Sequence, residues 1–147
     1  QMCIRDRAGV LLARRSVAKK YGLPILAKYC GGVVAGVPPN IMGVGPAYAI
    51  PKLLEKAGLK TTDIDIFEIN EAFASQALYS IEKIGLDISK VNPVGGAIAI
   101  GHPLGCTGSR QIATALAEAK RENKKFIVTS MCIGTGMGMA ALIINEQ

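Results

Sequence analysis

Residues 95–108 read GGAIAIGHPLGCTG, and this stretch limits the fold more than any other part of the chain. Five glycines in fourteen residues argue against a long helix or strand here, because a glycine inside either element costs about 0.5–1 kcal/mol relative to alanine. The backbone must turn, or leave room for another group to come close. Pro103 fixes its own φ and biases His102 toward an extended conformation. His102, the only histidine of the chain, therefore sits on a stiff, glycine-flanked loop. Such a loop needs core-bearing elements on both sides, and both flanks supply them.

Downstream, residues 106–121 carry Ile112, Leu116 and Ala119 on one helical face, with Lys120 and Arg121 suited to the negative end of the helix. Residues 126–131 form a continuous apolar strand, 132–138 a tight glycine loop, and 139–144 a returning strand. Upstream, residues 72–84 place Phe73, Ala77, Ile81 and Ile84 along one face of a helix stopped by Gly85. Residues 64–70, apolar at 64, 66 and 69, read as a strand, after a turn at 61–63. Pro46 opens a helix that runs to Ala57 and ends at Gly58. Before it come a loop at Pro38, Pro39 and Asn40, and a Val-, Ile- and Gly-rich strand over residues 25–36. Ser16 is a cap for a short helix ending before Gly22, and the apolar run 10–13 is a candidate buried strand. The pattern is α/β, a mixed β-sheet with helices on its faces.

At 147 residues the chain is long enough for one domain with its own core, and half of its residues are apolar. It has no apolar run of membrane-spanning length. The net charge of +6 comes from scattered basic residues with no interleaved aromatics, a pattern that argues against a nucleic-acid surface. Cys3, Cys30, Cys106 and Cys132 show no CxxC spacing, and with one histidine they make no zinc site; no metal is expected.

Three stretches could carry chemistry, and all lie at strand ends or loops. Asn70, in NEAFA, is either a helix N-cap or a group that orients water or an oxyanion; Glu71 suits the first turn of the following helix. His102 is either structural or a general base that also donates to a developing oxyanion. Cys132 is either a buried structural thiol or a proton carrier, with the NH groups of the following glycine turn available to an oxyanion. No GxGxxG or GxxxxGK[ST] loop is present.

NEAFA, GGAIAIGHPLGCTGSR and SMCIGTGMG, in this order, resemble the thiolase family, and GVPPNIMGVGPAYAIP, EINEAFASQ and GHPLGCTGSRQ are most similar to its peroxisomal 3-ketoacyl-CoA type. The resemblance covers residues 9–147 and aligns them with the C-terminal domain. Residues 1–8 read as a foreign or damaged junction. It implies one half of an αβαβα layered subunit, homodimerisation, and coenzyme A as a substrate with no other cofactor. It also implies cleavage of a 3-ketoacyl-CoA by CoA to acetyl-CoA and an acyl-CoA shortened by two carbons.

By the motif match, His102 would activate the nucleophilic cysteine and stabilise the enolate oxygen. Asn70 would hold a water in that oxyanion hole, and Cys132 would move the α-proton of acetyl-CoA. The NH of Gly134 would serve a second oxyanion hole, and Phe73 and Met42 would line the pantetheine and acyl pocket. None of Cys3, Cys30 and Cys106 matches the setting of the family nucleophile, which belongs to the N-terminal half; this chain alone is expected to be inactive. The resemblance implies a peroxisomal location in a eukaryote and a cytoplasmic one otherwise. A biosynthetic acetoacetyl-CoA thiolase and a non-catalytic acyl-CoA-binding fragment are the alternatives.

Overall fold

The structure, a computed structural model, describes residues 6–147. Cys3 and most of the segment read as a junction lie outside the described residues. Helix α1 spans Arg15–Lys20, strand β1 Ala27–Gly36, helix α2 Pro46–Ala57, strand β2 Ile66–Ile69 and helix α3 Ala74–Ile84. Helix α4, Ala97–Ile100, is a single turn inside the glycine-rich stretch, followed by helix α5, Thr107–Arg121, and strands β3, Phe126–Ile133, and β4, Met137–Asn145. The sheet order is β1-β4-β3-β2. β4 runs antiparallel to both of its neighbours, and β2 runs parallel to β3. The sheet is therefore mixed, as the alternation of elements requires.

Alternating side chains of β3 divide the core. Val128 packs with Phe67, Ile69, Leu142 and the α2 residues Ile50, Leu53 and Leu54. Ile127 packs on the other face with Ile66, Ile143 and the α5 residues Ala115 and Ala119, joined by Ile112 and Leu116. Every residue of β2 is buried, although β2 ends the sheet order. Its outer side is covered by the segment before the glycine loop: Val91 bridges Phe67, and the Asn92 amide N–H donates to the Phe67 carbonyl at 2.8 Å. A strand enclosed on all sides has no solvent face to alternate with, so Ile66, Phe67 and Ile69 are all apolar and even Glu68 between them is buried.

Several boundaries differ from the sequence reading. Residues 10–13 form no strand, and Leu11 and Leu12 are 81 % and 74 % exposed. An apolar run becomes a strand only beside a partner, and no sheet edge reaches this one. Ser16 lies inside α1 rather than capping it; Arg14 holds the cap position with no side-chain bond. α3 starts at Ala74, because Phe73 is extended (φ −141°, ψ 139°) and caps it. Asn70 is consequently not an N-cap, Glu71 lies outside the first turn, and Phe73 points outward, 58 % exposed. β3 continues through Cys132 and Ile133, which shortens the glycine loop to residues 134–136.

One close approach ties α2 to the hairpin of β3 and β4. An alanine methyl at Gly45 would lie 2.5 Å from the Gly138 Cα and 2.6 Å from the Met137 carbonyl oxygen. Gly138 in turn sits opposite Cys132 in the ladder. Two facing glycines let the start of α2 rest directly on the backbone of β4.

Candidate active site

The parallel pairing of β2 and β3 brings the last residues of both strands to one end of the sheet. Asn70 follows β2, and its backbone N–H donates to the Ser130 carbonyl at 2.9 Å. Its own carbonyl accepts from the Gln76 side-chain amide at 3.3 Å, while the Gln76 oxygen accepts from the Phe73 N–H at 3.2 Å. Asn70 is fully buried and fixed at both backbone groups. Its side-chain amide nitrogen is 3.2 Å from Nε2 of His102, and its Oδ1 is buried without a protein partner.

His102 is held from its other side as well. Nδ1 lies 2.6 Å from Oγ1 of Thr107, the first residue of α5, and the Thr107 hydroxyl donates to the Pro103 carbonyl at 3.1 Å. Pro103 thus fixes the chain after His102 and accepts the hydroxyl of the residue that holds it. α5 is in turn anchored to the strand ends. The Gln111 side-chain amide donates to the carbonyls of Glu68 (2.8 Å) and Ser130 (3.1 Å), and Arg110 pairs with the Glu68 carboxylate at 2.7 Å. Burial of Glu68 pushes its carboxyl up to about 7, although the Arg110 charge and hydrogen bond act in the opposite direction.

The glycine stretch is fastened through Asn92 and Glu71. The Asn92 side chain accepts from the Ile69 N–H and donates to the Ile69 carbonyl, both at 2.9 Å. It also donates to the Glu71 carboxylate at 2.9 Å, whose second oxygen accepts from the Ile98 N–H. A side-chain amide here mimics one more rung of sheet beyond β2. The left-handed backbone of Asn92 (φ 47°) suits asparagine among non-glycine residues. Gly96 packs against this carboxylate, where a methyl would lie 2.6 Å from the Glu71 Cδ.

Cys132 stands near the end of β3, half-buried, opposite Gly138 on the α2 side of the sheet. Burial pushes its thiol up, which favours S–H over thiolate at neutral pH. Gly134 is exposed at the start of the turn that follows, in which Thr135 and Gly136 have φ of 75° and 102°. The 3₁₀ turn Pro39–Val44 carries half-buried Met42, and its Gly43 approaches both Phe73 and Gln76. Met42 and Phe73 therefore border the same end of the sheet. The structure thus joins Asn70 to His102 directly and gathers Cys132, Gly134, Met42 and Phe73 around the strand ends.

A cavity of about 180 Å³ lies between the glycine loop and α5, lined by Ile100, Gly101, Pro103, Thr107 and Arg110 among others. It is smaller than the roughly 300 Å³ at the lower end of small-molecule sites. Among the described residues no cluster of three or more His, Cys, Asp or Glu side chains could hold a metal, and no helix is long and apolar enough to cross a membrane.

Sequence reasoning missed Thr107, Asn92, Gln111 and Arg110. Thr107 had a readable signal, since it stands four residues after Pro103, the spacing at which a hydroxyl reaches a carbonyl one helical turn back. Asn92 before Pro93 is a turn signal, but its grip on Ile69 depends on folding.

Comparison with known proteins identifies relatives of the chain. Over 139 residues the chain is 67 % identical to the peroxisomal 3-ketoacyl-CoA thiolase of Saccharomyces cerevisiae, covering 95 % of this chain and 33 % of that protein. Two structures of the yeast peroxisomal enzyme superpose with a TM-score of 0.85 at 66 % identity over 91 % of this chain. One is described as a five-layered α-β-α-β-α structure built from two core domains of identical topology, and the other as dimeric; the chain covers 38 % and 34 % of them. The human mitochondrial 3-ketoacyl-CoA thiolase in complex with CoA superposes with a TM-score of 0.88 at 47 % identity, covering 91 % of this chain and 34 % of that one. The chain spans about a third of the length of the relatives it matches. The family described as thiolase, C-terminal domain, matches residues 23–145, and the chain belongs to it.

Proposed function

We propose that this chain supplies the base, oxyanion and proton-transfer groups of a 3-ketoacyl-CoA thiolase. The observation that carries the reading is the Asn70–His102 contact at one end of the sheet, with Cys132 at the end of the adjoining strand. Thiolysis needs a nucleophilic thiolate made by a base, an enolate stabilised as the C–C bond breaks, and a proton delivered to the α-carbon. His102 takes the first proton and then faces the enolate oxygen. Asn70 supports a water there, and its unpartnered buried Oδ1 is the kind of group a bound water satisfies. Cys132, kept as S–H by burial, protonates the α-carbon, leaving acetyl-CoA. The Gly134 N–H stabilises the tetrahedral intermediate, while Phe73 and Met42 wall the acyl-pantetheine path.

The nucleophile and the rest of the substrate pocket belong to an N-terminal domain. Residues 9–147 act as the C-terminal domain of one subunit of a homodimer, with CoA as substrate, no separate cofactor and a peroxisomal location. Similarity to peroxisomal, dimeric and CoA-complexed thiolases supports the location, the dimer and the substrate.

The test is a chimera in which residues 9–147 replace the C-terminal third of the yeast relative, assayed for thiolysis of acetoacetyl-CoA and a longer 3-ketoacyl-CoA. Turnover should be retained, and should fall by about 10²–10⁴ in His102→Ala, the usual size of a general-base contribution. An active chimera unaffected by that substitution would sink the assignment of His102.

A further inference from the structure

Thr107 has no role in the sequence reading, yet it makes the shortest contact to His102. Its hydroxyl carries one proton. The Pro103 carbonyl, 3.1 Å away and one helical turn back, is an acceptor only, and this back-bond is the usual resting place of a threonine hydroxyl proton in a first helical turn. With that proton committed, Oγ1 meets His102 Nδ1 at 2.6 Å with its lone pairs, so Nδ1 must bring the hydrogen. On the far side of the ring, the Asn70 side-chain N–H points at Nε2 from 3.2 Å, and a neutral ring protonated on Nδ1 presents a lone pair there. The three hydrogen bonds run in one direction, from Asn70 through His102 and Thr107 to the Pro103 carbonyl.

We infer that Thr107 is a positioning residue that locks neutral His102 in its Nδ1–H form, making Nε2 the atom that accepts the nucleophile's proton. This rests on the proposed role of His102 as base and adds to it the acting atom and the group that selects it. When Nε2 takes the thiol proton, the electron pair of the S–H bond stays on sulfur as the attacking thiolate. The resulting imidazolium keeps its Nδ1–H on Thr107, so no second proton has to move; protonation of Nε2 ends its acceptance of the Asn70 N–H, and the Asn70 amide turns its unpartnered Oδ1 to the new Nε2–H. Thr107 is 2 % exposed, and α5 is fastened to the strand ends by Gln111 and Arg110, so the hydroxyl is held by the same helix that packs on the sheet.

Because His102 is the only histidine, the tautomer can be read without assignment ambiguity. Long-range ¹H–¹⁵N correlation spectra are recorded on the ¹⁵N-histidine-labelled 147-residue chain, about two pH units above the ordinary histidine value of about 6.5. The expected spectrum has Nδ1 at the protonated-nitrogen position and Nε2 at the unprotonated one. Thr107→Ser should preserve this pattern, and Thr107→Val should shift it toward the Nε2–H form. A wild-type spectrum of the Nε2–H form, or the averaged spectrum of a freely exchanging imidazole, overturns the inference. So does a Thr107→Val spectrum identical to wild type. The readout does not depend on turnover: an inactive chimera would refute the thiolase reading even with Nδ1–H established, and an active one would not rescue the wrong tautomer.

Discussion

Gly45→Ala sets two physical rules against each other. Gly45 has φ −46° and ψ −43°, a helical conformation that alanine adopts without strain. From the backbone alone the substitution should stabilise the fold by about 0.4–1 kcal/mol, because it narrows the unfolded ensemble. The space around it predicts the reverse. The new methyl would meet Gly138 Cα at 2.5 Å, the Met137 carbonyl oxygen at 2.6 Å and the Gly138 nitrogen at 2.8 Å. Ordinary contact begins near 3.4 Å, so the start of α2 must lift from β4 by roughly 0.9 Å. The obstructing atoms are all backbone and cannot rotate away. Lifting α2 pulls Ile50, Leu53 and Leu54 from the core they share with Val128 and Leu142.

Overpacking of this kind costs about 1–3 kcal/mol, which outweighs the entropic gain. That loss is large against the roughly 5–15 kcal/mol stability of a typical domain. The assay is urea unfolding of the chain followed by circular dichroism, with Gly36→Ala as reference because a methyl there meets nothing within 4 Å. The Gly45→Ala midpoint should fall well below that of Gly36→Ala. A midpoint at or above wild type would refute the claim that facing glycines set the distance between α2 and the hairpin.

Asn92→Ala leaves the Ile69 N–H and carbonyl and the Glu71 carboxylate without their present partners, and should cost about 2–4 kcal/mol in the same unfolding assay; Asn92→Gly, which keeps the left-handed backbone, should cost less than Asn92→Ala. Glu68 has a carboxyl raised from 4.5 to about 7 on folding, so the folded state binds its proton more tightly. Its contribution is therefore greatest below pH 4.5 and is lost as pH rises toward 7, an effect on the order of 3 kcal/mol. Urea midpoints measured across that range should show the decline, and Glu68→Gln should flatten it. In the chimera, Cys132→Ser should slow solvent exchange of the acetyl-CoA α-protons by an order of magnitude or more, the scale of a lost proton carrier; unchanged exchange measured by NMR would remove Cys132 from that step.

Local signals in the sequence located the elements well where they were strong. Pro46 at the start and Gly58 after the end bracket α2 as expected, with Gly58 in the left-handed conformation. Ile112, Leu116 and Ala119 do face the sheet from α5. Phe73 misled because its spacing fits a helical face, while the Gln76 side chain folds back to its N–H and the helix starts at Ala74, two residues later than the spacing predicts. The apolar run at residues 10–13 misled because periodicity does not report whether a partner strand exists. At the site, glycine and proline around His102 marked a positioned side chain. Its two partners, Asn70 and Thr107, are 32 and five residues away in sequence, and only the nearer lies within a local pattern. Asn92 and Gln111 act on backbone groups of other elements, which no local spacing encodes.

The position of β4 also governs the order in which this domain can form. Among the described residues β1 pairs with β4 alone, and Ala27 lies opposite Asn145, more than a hundred residues later. On a ribosome, β1, α2, β2 and α5 are all synthesised before the strand that joins the two edges of their sheet exists. Contacts this distant are slow to close, and the open edges of β1 and β3 remain exposed to other chains in the interval. Loss of the last ten residues would therefore remove the middle of the sheet rather than trim its end, and would leave β1 with no partner strand.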